Sequence, residues 1–316
     1  MKPLVSIVCN AYNQEDYIEE TILSFINQKA DFDFEILIHD DASTDRTQKI
    51  IKEYCQKYPN LIFPILQVEN QYSKGVSILR DIQIPRAKGK YIALCEGDDY
   101  WIDEYKLQKQ VQLLETKEDI KMCSHGALEV IGVEKRYYGK TLPTKKNSLL
   151  SPQDVIFGGG AFLATNSLLF KKELFESPPA FFNFMPLDYT LQIMGSLDNG
   201  IAFIPSIMSA HRVAANNSWT SRMKANPQSK IAFNEKLCQM LSILDDDTDG
   251  KYTQEIKTVI GRYQVENEIC NGNYKGIKEK YPEEYKKLPR KFKMSINLHL
   301  YAPFVFSIRE LLYSKH

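Results

Sequence analysis

Residues 4–43 read LVSIVCNAYNQEDYIEETILSFINQKADFDFEILIHDDAS, and this stretch decides the fold class. Residues 4–10 are a short apolar run rich in β-branched side chains, the composition of a buried strand. Over residues 15–28, Tyr17, Ile18, Ile22, Phe25 and Ile26 recur three or four positions apart, so the spacing predicts a helix with one apolar face. Residues 34–39 (FEILIH) return to strand character. Ser43 reads as the N-cap of a second helix, whose buried face continues through Ile50, Ile51 and Tyr54. Strand and helix alternating in this way imply right-handed crossovers between parallel strands.

Outward from this stretch the alternation continues. Residues 61–67 predict a third strand, and residues 90–95 (KYIALC) a fourth, after the turn signal Lys88-Gly89. A helix is predicted over 105–115 and a strand over 122–133. Residues 137–160 read as loop-rich and end in Gly158-Gly159-Gly160. Residues 161–213 mix apolar runs with short helices, and from about residue 228 long helical segments rich in Lys, Glu and Tyr take over. The expectation is an α/β domain over residues 1–225, a mainly parallel sheet flanked by helices, followed by a C-terminal helical extension over 226–316.

Composition bounds the function. Forty Lys and Arg balance forty Asp and Glu among 316 residues, which argues against nucleic-acid binding driven by bulk charge. Hydrophobic residues at 43% and charged residues at 25% are those of a globular chain. None of the six cysteines stands in CxxC spacing, which excludes a zinc ribbon or thioredoxin-type motif. Several lie in apolar runs, as reduced core cysteines of a cytosolic protein do. Residues 1–5 enter a strand-like run without the apolar region and cleavage site of a signal peptide, and no stretch approaches the ~20 apolar residues of a membrane span. The expected location is cytoplasmic, with membrane association at most peripheral.

In a parallel α/β sheet, ligands bind outside the carboxyl ends of the strands. Three polar clusters fall there: Asn10-Ala11-Tyr12-Asn13, then Asp40-Asp41-Ala42-Ser43-Thr44-Asp45, then Glu96-Gly97-Asp98-Asp99. Neighbouring carboxylates repel unless a cation neutralises them. A divalent metal with oxygen ligands suits them, and Mg²⁺ or Mn²⁺ would take its remaining ligands from water and phosphate. The combination suggests a site for a nucleotide diphosphate. Residues 40–45 alone also read as an Asx-turn and helix cap. Three clusters at three strand ends are harder to assign to solvated loops. No GxGxxG or GxxxxGK[ST] follows the first strand, against a dinucleotide fold or a P-loop NTPase.

Residues 5–18 (VSIVCNAYNQEDYI), 40–45 (DDASTD) and 91–101 (YIALCEGDDYW) together resemble glycosyltransferase family 2, the inverting GT-A enzymes, in order and spacing. The resemblance runs over roughly residues 3–220. It implies a Rossmann-like GT-A fold and transfer of a sugar from a nucleotide sugar, a UDP-sugar, to a hydroxyl acceptor with inversion, assisted by Mn²⁺ or Mg²⁺. Ala11, Tyr12 and Asn13 then belong to the nucleotide-binding loop, Ala11 and Tyr12 lining the nucleobase pocket. Asp40 matches the aspartate that hydrogen-bonds uracil, a role suited to an acceptor-only carboxylate. Glu96-Gly97-Asp98-Asp99 falls on the family's DxD-type motif. Asp98 is the expected metal ligand and Asp99 the second, while Glu96 replaces the usual leading Asp and faces the ribose with Gly97 beside it. Residues 164–171 (ATNSLLFK) resemble the segment near acceptor and donor sugar.

In Pro186-Leu187-Asp188-Tyr189, Asp188 matches the family's general base; it also reads as an N-cap. His211-Arg212-Val213-Ala214 stands where the family often has Tyr-Arg-x-His. Ala214 takes the place of that His, Arg212 is expected on phosphate oxygens, and His211 is the third expected metal ligand. Trp219 fits the loop that closes over the donor, or a core aromatic. The implied partners are the nucleotide-sugar donor and a glycan or lipid-linked acceptor in bacterial surface-polysaccharide or glycan synthesis. Basic residues interleaved with apolar ones over 286–316 read either as a peripheral membrane contact or as a helical cap. Two other functions stay open at this point. A catalytically inactive sugar-nucleotide-binding protein is raised by Ala214. A nucleotidyltransferase would carry a glycine- and arginine/lysine-rich loop after the first strand, which residues 10–15 lack.

Overall fold

The computed structural model describes residues 2–213, 226–287 and 290–301. Strand β1, Val5–Ala11, is buried along nearly its whole length. That explains its unbroken apolar sequence, since a strand covered on both faces has no polar side to alternate with. Helix α1, Ile18–Ile26, turns Ile18, Ile22 and Phe25 inward. Strand β2, Phe34–Asp40, runs parallel to β1 in register from Val5 opposite Phe34 to Ala11 opposite Asp40. Helix α2, Thr47–Lys57, buries Ile51 and Tyr54 and leads to β3, Ile62–Leu66, parallel to β2. Strand β4, Tyr91–Leu94, pairs in parallel with the other side of β1.

The chain continues through β5 (Tyr100–Trp101), α3 (Lys106–Thr116), β6 (Met122–Ile131), β7 (Arg136–Thr141), β8 (Ser148–Leu150), α4 (Pro152–Gly158), β9 (Leu169–Lys171), α5 (Asp188–Ser196) and β10 (Ile201–Arg212). Strand order is β3-β2-β1-β4-β9-β6-β10-β5, with β7 on β6 and β8 on β10. The α/β class and the parallel first half are as the sequence implies. Beyond β4, antiparallel β9 separates β4 from β6, and β6 with β10 forms a further parallel pair. Residues 137–160, expected as loop, carry β7, β8 and α4. A capping box between Ser151 and Asp154 starts α4. Ser43 is not a helix N-cap: α2 begins at Thr47, whose N–H is met by Asp45.

This topology gathers several loops at one rim. β1 and β2 end level with each other. After β4, the Cys95 N–H donates to Val8 O and the Gly97 N–H to Asn10 O, drawing residues 95–97 across the end of β1. β5 then pairs with the last turn of β10, Tyr100 opposite Ala210 and Trp101 opposite Ser209. The short turn Thr165–Ser167 precedes antiparallel β9 and so stands at the same end as the close of β4. Beneath the rim, Ile7, Cys9, Phe25, Ile36, Ile38, Trp101 and Leu107 share one core. Each large apolar side chain so buried contributes about 1.5–3 kcal/mol.

The chain divides into two compact units, Met1–Ser218 and Trp219–His316. In the second, α6 (Pro227–Asp247), α7 (Thr253–Cys270), α8 (Tyr274–Lys280), α9 (Pro282–Lys287) and α10 (Arg290–Tyr301) are helical. Lys230 pairs with Glu266 at 2.6 Å, and Asn234 donates to Glu266 and Asn267, tying α6 to α7. Val265, Ile277 and Ile296 form a small apolar centre. Ala214, Trp219 and residues 302–316 of the basic segment lie outside the described residues. No described helix is long and apolar enough to cross a membrane.

Candidate active site

The loops after β1 and β2 are stitched together. Asn13, in the left-handed region at φ 52°, donates its N–H to Ser43 Oγ and accepts from the Thr44 N–H at 2.8 Å. The Gln14 N–H donates to Thr47 Oγ1 and the Glu15 N–H to Asp45. Asn13, expected as a nucleotide contact, is thus a latch between loops. Asp40, expected on uracil, is engaged by neighbouring protein groups. It is fully buried; Oδ1 accepts from the Ser43 N–H and Gln48, and Oδ2 from the Ser43 hydroxyl. Its carboxylate is closed into an Asx-turn and faces protein. Asp41 anchors a further loop by accepting from the N–H groups of Gln71 and Tyr72. Ala11 is buried at the end of β1, and Tyr12 beside it stands 46% exposed.

Glu96 and Asp188 both expose surface yet are densely walled by protein, as groups lining a cleft are. Burial, reinforced by the charges of Asp98, Asp99 and Asp188, pushes the Glu96 carboxyl up to about 8. Burial also raises Asp98, against which the nearby His211 and Arg212 charges act. Asp188 is raised by burial and drawn back down by the Tyr189 N–H, the Thr165 hydroxyl and the His211 charge. Glu96, Asp98, Asp188 and His211, from three separate segments, therefore share one electrostatic environment. Asp188 is the first residue of α5, with Leu187 as the N-cap. Its Oδ1 accepts from the Tyr189 N–H at 2.8 Å and its Oδ2 from Thr165 Oγ1 at 3.1 Å. The positive end of the helix dipole favours its anion.

Asp99 is not an open second ligand. It is buried, accepting from the Arg212 N–H at 2.8 Å on Oδ1 and from Asn166 Nδ2 at 2.9 Å on Oδ2. Arg212 does not reach out to phosphate either. Its side chain is 2% exposed and lies between the rings of Tyr17 and Tyr100, 4.8 and 4.7 Å from their centroids. One terminal nitrogen donates to the Asp98 carbonyl and the other to Glu20 of α1, each at 2.5 Å. The guanidinium holds the backbone that carries Asp98. Gly97 leaves room for close packing, because a Cβ there would displace the end of the Gln14 side chain and press on the Ala11 Cβ at 3.0 Å.

Glu20 and Asn166 were not singled out by sequence reasoning. Asn166 links Asp99, Ser209 Oγ and the Ala210 carbonyl, while its own carbonyl accepts from Trp101. The polar run Thr165-Asn166-Ser167 between apolar residues was the available signal. Glu20 carried none, since an acidic first turn is ordinary in any helix.

Among the described residues no three His, Cys, Asp or Glu side chains form a metal-binding group by themselves. Magnesium or manganese needs only one or two protein carboxylates beside substrate phosphates. The hard oxygens of Asp98 and Glu96, both raised by burial and Glu96 further by the Asp98 charge, fit such a cation. A cavity of about 1320 Å³ lies at the other end of the sheet, against Pro3, Phe34, Gly89 and Lys90 at the strand starts.

Fold and cleft define an α/β protein of the GT-A type with its acidic groups at the strand ends. The chain belongs to glycosyltransferase family 2: the model described as Glycosyl transferase family 2 matches residues 6–177. That family is one of glycosyltransferases and not of nucleotidyltransferases. It is 37% identical over 218 residues to uncharacterized protein Rv1520 of Mycobacterium tuberculosis, covering 69% of this chain and 61% of that one. The chain thus spans less than two thirds of that relative's length. It is 38% identical over 114 residues to the Escherichia coli UDP-Glc:alpha-D-GlcNAc-diphosphoundecaprenol beta-1,3-glucosyltransferase WfaP, covering 36% of this chain and 42% of that one. In fold it is similar to Staphylococcus aureus TarS 1-349 in complex with UDP-GlcNAc, with TM-score 0.59 and 17% identity over 89% of this chain and 78% of that one.

Proposed function

We propose that the protein transfers a sugar from a UDP-sugar to a hydroxyl of a glycan or lipid-linked acceptor, with inversion, in cell-surface polysaccharide synthesis. The observation that carries this reading is the shared environment of Glu96, Asp98, Asp188 and His211 at the strand-end rim. The uridine-sugar and lipid-linked parts draw on the names of WfaP and TarS. Asp188 is the general base: it takes the acceptor proton as the hydroxyl attacks the anomeric carbon and the bond to the diphosphate breaks. Thr165 and the Tyr189 N–H fix its two oxygens, and burial strengthens it as a base. Single displacement inverts the anomeric carbon. Asp98, with Glu96 and His211 nearby, would hold Mn²⁺ or Mg²⁺; when bound, the cation neutralises charge on the departing diphosphate. Tyr12, exposed beside the rim, is the proposed nucleobase contact.

Asp188→Asn removes the base and keeps the shape. Transfer measured as UDP release with acceptor present should fall by about 10²-fold or more, while UDP affinity by calorimetry holds. Transfer at near the wild-type rate would remove Asp188 as the base.

A further inference from the structure

We propose that residues 132–147, the turn after β6, strand β7 and the loop that follows, seat this protein on an anionic lipid bilayer. This segment carries Lys135, Arg136, Lys140, Lys145 and Lys146 against a single acid, Glu134. All five cations are exposed. Lys135 is held by Glu20 and stands 5.1 Å from the Tyr100 ring centroid. Among the described residues, Arg136, Lys140, Lys145 and Lys146 enter no ion pair.

Charge by itself has a bland explanation. β7 pairs with β6 and with no other described strand, and edge strands carry lysines to discourage further pairing. The apolar groups do not share that explanation. Tyr137 and Tyr138 are each 64% exposed and Val133 55%. Successive strand residues ordinarily point to opposite faces. Here a bulge interrupts the ladder, with Gly139 opposite Glu129 but Tyr137 opposite Val130. Tyr138 is the extra residue, and both tyrosines are largely exposed to solvent. Tyrosines with a wet end and an apolar body, flanked by unpaired cations, match the interfacial zone of a bilayer with anionic headgroups.

The placement suits the enzyme. Glu129 and Val130 of β6 face β7 on one side and His211 and Arg212 of β10 on the other. The hairpin therefore extends the rim that carries the cleft. Its purpose rests on the transferase reading, since an enzyme resting on lipid through this edge would meet acceptors anchored there. The binding itself is independent of that reading.

The test is flotation of the full-length chain with phosphatidylcholine vesicles, with and without phosphatidylglycerol, at low and high salt. Two double variants are compared with wild type: Arg136→Glu with Lys140→Glu, and Tyr137→Ser with Tyr138→Ser. Wild type should float only with phosphatidylglycerol vesicles and detach in high salt. Each double variant should lower the bound fraction about tenfold. The second variant keeps the test alive if the first fails to fold. UDP-sugar turnover without vesicles, read on the same samples, should be unchanged and separates failure of this inference from failure of the transferase reading. Absence of binding to phosphatidylglycerol vesicles, equal binding to neutral ones, or full binding by both variants overturns the proposal. The last outcome would move attachment to another segment, such as residues 286–316.

Discussion

Asp188 shows what one side chain's surroundings do to its chemistry. Burial raises its carboxyl above the ordinary aspartate value of 3.8, and two hydrogen bonds and the His211 charge pull it part of the way back. A base works only when deprotonated, so activity is present above the raised value and is lost as pH falls through it. The acid limb of kcat/KM should therefore lie above the usual aspartate range. Thr165→Val removes a hydroxyl that favours the anion and should move the limb further up. A pH profile of both proteins decides this; a limb that stays in place in the Val variant belongs to some other group.

Between elements, Arg212 is the joint. It ends β10, pairs with Glu20 on α1, lies between Tyr17 and Tyr100, and bonds the carbonyl of Asp98. Its position was legible in the sequence; its task was not, because a one-dimensional pattern does not tell an arginine aimed into a cleft from one folded beneath it. The partners of Asp40 and Asn13 were hidden for the same reason: Asp40 closes a local turn with Ser43, and Asn13 latches its loop to Ser43 and Thr44 from about thirty residues away. Lysine is a point charge and cannot make both of the bonds that Arg212 makes. Arg212→Lys should weaken Mn²⁺-supported UDP binding by about tenfold and leave the metal-free UDP affinity nearly alone. Calorimetry with and without Mn²⁺ separates the cases, since an equal loss in both would make Arg212 a direct phosphate ligand.

Across the molecule, the parallel strands β1 to β4 could be read directly because each is an apolar run of four or more residues bounded by turn signals. Strands β5 and β9 could not: two or three residues carry no periodicity, and pairing with distant β10, β4 and β6 alone makes them strands. Those short strands close the site, bringing Glu96–Asp99 to the end of β10 and Thr165 to Asp188. The native fold thus holds several carboxylates closer together than an unfolded chain would, and Glu96 registers the repulsion. A ligand pair that relieves it binds the folded form alone and must stabilise it. UDP with Mn²⁺ at about a hundred times its Kd should contribute about 2.7 kcal/mol. For a unit of this size that raises the melting temperature by roughly 5–10 °C. UDP with a chelator should contribute much less, because the diphosphate then meets the carboxylates with no cation between them. A thermal-shift series with UDP, Mn²⁺, both together, and both with chelator reads this directly. If the combination moves the transition no further than UDP with chelator, the acidic rim is not a metal–diphosphate site.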